Sequence, residues 1–139
     1  MVRGKLEAPE LLSTFSAFAA ECWNKNKKQE LGNLRAILIE DASSGTGLIQ
    51  SFGRESPVPV TPIKRQKDKL TRAMDSCPHI KAGKVYLPEG VQWIVEFVSE
   101  VSMFTADDSH RHDDQVDNLT DAIDYALIRN SSLFDLIYK

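Results

Sequence analysis

Apolar positions recur along this chain in two rhythms. Over residues 8–25, Leu11, Leu12, Phe15, Phe18, Ala19, Cys22 and Trp23 fall three or four apart, which predicts a helix with one apolar face. Pro9 suits its first turn, where a missing N–H costs nothing. A polar, Lys-rich connector follows over 24–33, with Gly32 near its end. Residues 34–40 then form a nearly continuous apolar run, which predicts a strand covered on both faces, as in a parallel sheet.

The later elements alternate. Residues 41–47 are a Ser- and Gly-rich turn, and a short helix is expected from Thr46 to about Phe52, anchored by Leu48, Ile49 and Phe52. Residues 57–62 are extended, and their prolines confine them to a short or edge strand. Residues 64–77 read as a basic helix with a thin apolar side (Leu70, Ala73, Met74). A short strand is expected over 83–88. An amphipathic helix is expected over 91–103, with Trp93, Ile94, Phe97, Val98 and Val101 inward. A polar loop spans 104–111. The last helix runs from about His112 to Arg129 on a stripe of Val116, Leu119, Ile123, Ala126 and Leu127. The tail over 134–138 is apolar and is expected to dock. With no repeat, low-complexity tract or linker, this alternation predicts one α/β domain over 1–139, with a short, mostly parallel sheet flanked by helices.

Composition narrows the class. A chain of 139 residues with 42% hydrophobic and 27% charged residues is long enough for one core and is ordinary for a globular protein. No apolar run approaches the ~18 residues of a membrane span, and the N-terminus lacks an apolar signal core, so the cytoplasm is expected. Cys22 and Cys77 match no zinc spacing and no Cys-x-x-Cys motif; they are expected to be small core residues.

Charge changes the picture more. Residues 64–84 hold seven bases against two acids, and residues 96–124 hold nine acids against one base. A basic lobe beside an acidic cluster suits an enzyme that holds a polyanion and a cation together, and equally suits two solvated faces of opposite sign. Within the acidic block, Asp114, Asp117 and Asp121 fall at i, i+3 and i+7 and share a helix face, and Asp113 neighbours Asp117. Acids in a first turn also interact well with the helix dipole. Crowded carboxylates nonetheless repel one another unless something positive sits among them. Hard oxygen donors suit Mg²⁺ or Mn²⁺ rather than zinc, and His110 and His112 have no partner at a structural zinc spacing. Glu40 and Asp41 close the apolar strand, at the end where α/β sheets gather ligands, although Asp41 alone also suits a turn or a helix cap. The Walker pattern is absent, and no Ser-His-Asp or Cys-His arrangement stands out.

Four segments together resemble the C-terminal nuclease domain of the large subunit of tailed-phage terminases, the DNA-packaging motors. They are the stretch 3–11; Ile37-Leu38-Ile39-Glu40-Asp41 with Ser44-Gly45-Thr46-Gly47; Asp68-Lys69-Leu70-Thr71-Arg72-Ala73 followed by Gly83-Lys84-Val85-Tyr86-Leu87-Pro88; and His112-Asp113-Asp114-Gln115-Val116-Asp117-Asn118-Leu119. None is specific alone; their order across nearly the whole chain is. The resemblance implies an RNase H-like fold and two-metal hydrolysis of DNA by Mg²⁺ or Mn²⁺ during packaging, in a phage or prophage setting inside a bacterial host. It implies Glu40 and Asp114 as the matching acids, with Asp113 and Asp117 as further ligands. Lys69 and Arg72 resemble the family's basic pair, and with Lys64 and Arg65 they are expected to meet DNA phosphates.

The chain departs from the family at its start. The family's domain opens with a β-meander whose first strand carries an Asp bridging both metals; that strand, and the family's ATPase domain, are expected to be missing here. Glu7, Glu10, Glu21 and Glu30 lie in or beside the first helix and do not substitute. The expectation is therefore an incomplete RNase H-like fold that cleaves weakly or not at all alone, or a non-catalytic module binding DNA or a packaging partner. An acidic metal-binding protein unrelated to DNA is a third possibility. Self-association through the edge of the 34–40 strand is also expected.

Overall fold

The computed structural model describes residues 6–28, 33–42, 44–54, 56–105 and 113–129. Outside them lie residues 3–5 of the first family block, the 29–32 part of the connector, loop residues 106–111, both His110 and His112, and the 134–138 tail. The chain divides into two compact units, Met1–Arg65 and Gln66–Lys139.

The first unit is built on a parallel β-α-β turn. Helix α1 (Ala8–Lys28) ends on Lys25, Lys27 and Lys28, where positive charge meets the helix's negative pole. Strand β1 (Ile37–Glu40) leads through helix α2 (Ser44–Phe52) into strand β2 (Val60–Ile63). The strands pair in parallel from Ile37↔Val60 to Glu40↔Ile63. β1 is shorter than the apolar run predicts. Its ladder begins where Ile37 N–H donates to Pro59 O at 2.9 Å, and Pro59 and Pro57 have no N–H to carry it further back. Ile39, Leu48, Val58 and Ile63 are the buried core, and Phe15 meets Phe52 edge-on at 4.9 Å. Ile37 and Leu38 are half-buried, so both faces of β1 are covered in part.

The second unit is helical. Helix α3 (Lys69–Lys81) starts later and ends later than the basic run predicts. Asp68 starts it: one carboxylate oxygen accepts from Thr71 N–H at 2.9 Å and the other from Thr71 Oγ at 2.7 Å. The helix carries Pro78 inside it and is stopped five residues later at Gly83. There Gly83 N–H donates to Ile80 O at 3.0 Å and Lys84 N–H to His79 O at 3.1 Å. That pair of hydrogen bonds is a Schellman stop, and it needs the left-handed backbone that Gly83 supplies at φ 68°.

Three expectations are corrected here. Residues 83–88 form no strand: Gly83 belongs to the helix stop, Pro88 lacks a donor, and Tyr86 is 89% exposed. Cys77 is exposed rather than core. Val98 is also exposed, on helix α4 (Ile94–Ser102), whose half-buried side holds Ile94, Phe97 and Val101. Helix α5 (Asp114–Ile123) buries Val116 and Ile123 as its pattern requires, and with them the polar Gln115 and Thr120. Its last turns widen to π winding over Asp124–Arg129, and this i, i+5 spacing sets Arg129 Nε 2.5 Å from Asp124. No helix among the described residues is long and apolar enough to cross a membrane.

Candidate functional site

In the first unit, parallel pairing decides what stands beside the strand-end acids. Glu40 and Ile63 are register partners, so the two residues after Ile63 emerge next to Glu40 and Asp41. Those residues are Lys64 and Arg65. Arg65 holds Glu40 at 2.6 Å, and Lys64 stands 3.5 Å from Asp41. Asp41 also accepts from Thr46 Oγ at 2.9 Å, which ties the strand end to the first turn of α2. Glu40 remains half-exposed and Lys64 is 74% exposed.

In the second unit, α3 packs along α5. Lys69 and Arg72, at i and i+3, turn one face of α3 toward Asp113, Asp117 and Asp121, at i, i+4 and i+8 on α5. The five charges alternate in sign. Lys69 Nζ contacts Asp113 and lies 3.1 Å from Asp117. The Arg72 guanidinium donates to Asp117 at 2.6 Å and to Thr120 Oγ at 3.0 Å, and stands 3.6 Å from Asp121. The side chains of Arg72, Asp117 and Asp121 are only 13–14% exposed, whereas Lys69 and Asp113 are 25% and 27% exposed. Arg72 Nε is buried with no partner among the described residues. Burial pulls the Lys69 ammonium's pKa down, but the paired carboxylates of Asp113 and Asp117 outweigh it, and the net shift is upward.

The first turn of α5 is held from a second side. Glu100 of α4 accepts from Gln115 N–H at 2.8 Å and from Gln115 Nε2 at 2.7 Å. It thereby satisfies an amide that the N-cap residue would ordinarily serve. Asp113 stands at that N-cap and makes no side-chain cap bond; its carboxylate reaches Lys69 instead. Asp114 is exposed. Sequence reasoning does not find Glu100, because nothing in its spacing marks it; only the packing of α4 on α5 does.

The four bases expected to meet DNA are thus the partners of acids in this structure. The matched basic and acidic blocks were the signal available for this. Among the described residues, no three Asp, Glu, His or Cys side chains form a group able to hold a metal ion. Asp113 and Asp117 converge on a single cation, and that cation is the Lys69 ammonium. The structure brings Asp113 and Asp117 together through Lys69; Glu40 belongs to the first unit and is held by Arg65.

Residues 18–126 match the family model described as the terminase RNaseH-like domain. No curated protein and no solved structure matches the chain.

Proposed function

On the premise that the chain belongs to the terminase RNaseH-like domain family, we propose that it is a nuclease-type module of a phage or prophage packaging terminase. It binds DNA and cleaves weakly or not at all alone; Asp113, Asp114 and Asp117 of the second unit are the acids proposed to meet Mg²⁺ or Mn²⁺ there, and Glu40 is the family-matching acid of the first unit. When bound, such ions would supply Lewis-acid activation of water and charge neutralisation at a scissile phosphate. The chain's own residues set the limit on that chemistry. Arg65 holds Glu40, and Lys69 and Arg72 hold Asp113 and Asp117, so these carboxylates already carry counter-charge. This pairing is the observation that supports low activity. Lys64, mostly exposed and only loosely paired, is the base best disposed to reach a phosphate without breaking a short contact.

A second reading is favoured by the depth of Arg72. A guanidinium that bridges two helices serves the fold first, and the chain is then a non-catalytic module for DNA or another packaging component. Plasmid nicking in Mg²⁺ or Mn²⁺, run beside DNA binding at several salt concentrations, separates the two. The nuclease reading predicts slow nicking lost in Asp114→Ala. Salt-sensitive binding that survives Glu40→Ala and Asp114→Ala, with no nicking, selects the binding module. Fast nicking lost in Asp114→Ala overturns the low activity, and no DNA affinity at low salt overturns both readings.

A further inference from the structure

Among the described residues of the second unit, Lys67, Lys69, Arg72 and Arg129 each hold a carboxylate. Lys81 and Lys84 hold none, and both are exposed. They flank the helix stop at Gly83, where Lys84 N–H reaches back to His79 O at 3.1 Å and turns the chain against the end of α3. No acid stands between Asp75 and Glu89 in the sequence, and Lys67 already holds Asp75 at 2.6 Å. The positive charge at this corner is therefore not neutralised. Tyr86 follows Lys84 by two residues, a Cα separation of at most ~7 Å. It is the most exposed large hydrophobic residue described, and Ile80 and Leu87 near it are exposed as well. Packing does not explain an aromatic ring at this position, because the ring meets water instead of the core.

We propose that Lys81, Lys84 and Tyr86 form a contact surface for single-stranded DNA, with the two ammoniums on phosphates and the Tyr86 ring stacked on a base. The inference rests on the reading of the chain as a DNA-binding module, and names the strand form it takes and the residues that take it. Lys69 and Arg72 meet a phosphate only by leaving partly buried carboxylates behind, whereas Lys81 and Lys84 give up only water. Two free ammoniums attract duplex and single strand alike. The ring supplies the discrimination. Stacking needs an open base face, which a single strand offers and a duplex keeps between neighbouring base pairs. Every base has such a face, so the contact is tolerant of sequence.

Fluorescence anisotropy of the full chain with a labelled oligothymidylate, and with a duplex of equal length, tests the surface. The unmodified chain should bind the single strand more tightly. Tyr86→Ala should weaken single-strand binding at least about fivefold, leave duplex binding and the salt slope unchanged, and be rescued by Tyr86→Phe. The double variant Lys81→Ala/Lys84→Ala should weaken both, and lower the slope of log affinity against log salt for the single strand by about 1.4. Equal or tighter duplex binding, unchanged single-strand affinity in Tyr86→Ala, or an unchanged slope in the lysine variant overturns the proposal. Capture by anionic phospholipid vesicles without oligonucleotide binding overturns it too. If a variant fails to fold by circular dichroism, the Tyr86 ring protons of the unmodified chain carry the test: they should move upfield as oligothymidylate is added, and unmoved signals are the overturning result. DNA binding that persists unchanged in all three variants sinks this surface alone, whereas an unmodified chain with no DNA affinity at low salt sinks the DNA-binding reading with it.

Discussion

A Cβ built at Gly45 would lie 1.9 Å from the carbonyl oxygen of Glu40, whereas one at Gly47 meets nothing within 4 Å. Both residues are in α2, so ordinary helix propensity cannot tell them apart; the close approach of α2 to the end of β1 does. Gly45→Ala should therefore lower stability by about 1–3 kcal/mol through overpacking, while Gly47→Ala should be neutral or gain up to about 1 kcal/mol. Urea unfolding of the two variants checks this. At Arg72, removing the cation leaves Asp117 and Asp121 side by side and nearly buried. Arg72→Met should cost about 3 kcal/mol in the same assay, the scale of breaking a buried pair from one side. Asp68 gives a pH signature. Its hydrogen bonds from the Thr71 hydroxyl and amide hold its carboxyl below the usual 3.8. A depressed carboxylate contributes stability above that value and loses it as pH falls through the lower folded value. Asp68→Asn should keep α3 capped at pH 7 and flatten the fall in thermal stability below pH 4, measured by melts at both pH values.

Elements were more legible in their existence than in their ends. Every helix that periodicity predicts is present, and β1 and β2 pair in parallel as the apolar run at 34–40 suggests. The ends moved because caps and ladders, not hydrophobic periods, decide them. Asp68 starts α3 by a side-chain bond, and Gly83 stops it by a backbone conformation, so the helix passes straight through Pro78. Pro78 withholds the N–H that the Met74 carbonyl would accept, on a flank where Met74 is 66% exposed. Pro78→Ala should restore that bond and stabilise the chain by about 1–3 kcal/mol, read by thermal unfolding. The same stop removes the expected 83–88 strand, since Gly83 cannot serve a Schellman turn and a strand at once.

At the scale of the whole molecule, the described strands make one pair, and β1 has β2 as its neighbour among them. An apolar strand with a second edge to offer is prone to add another. Size-exclusion chromatography with light scattering at micromolar concentration is expected to show species larger than the monomer; a single monomer peak rules this association out. Charge at this scale was read correctly in amount and incompletely in use. The basic run at 64–84 and the acidic run at 96–124 stand out from sequence alone, and the acids of α5 share a face at the spacing expected. That the bases Lys69 and Arg72 face those acids depends on α3 packing along α5, a contact between residues more than forty positions apart.

Taken by itself, the amino-acid sequence determined the α/β class, the apolar stripes, the two charge blocks and the resemblance to terminase nuclease domains, since each depends on residue order within one element or one motif. The tertiary structure decided which charges meet. Parallel register put Lys64 and Arg65 beside Asp41 and Glu40, and helix packing put Lys69 and Arg72 among Asp113, Asp117 and Asp121. Crowded carboxylates require a cation nearby, but the requirement says nothing of its source. Only the fold, by setting distances across distant parts of the chain, assigned that place to the chain's own lysine and arginine.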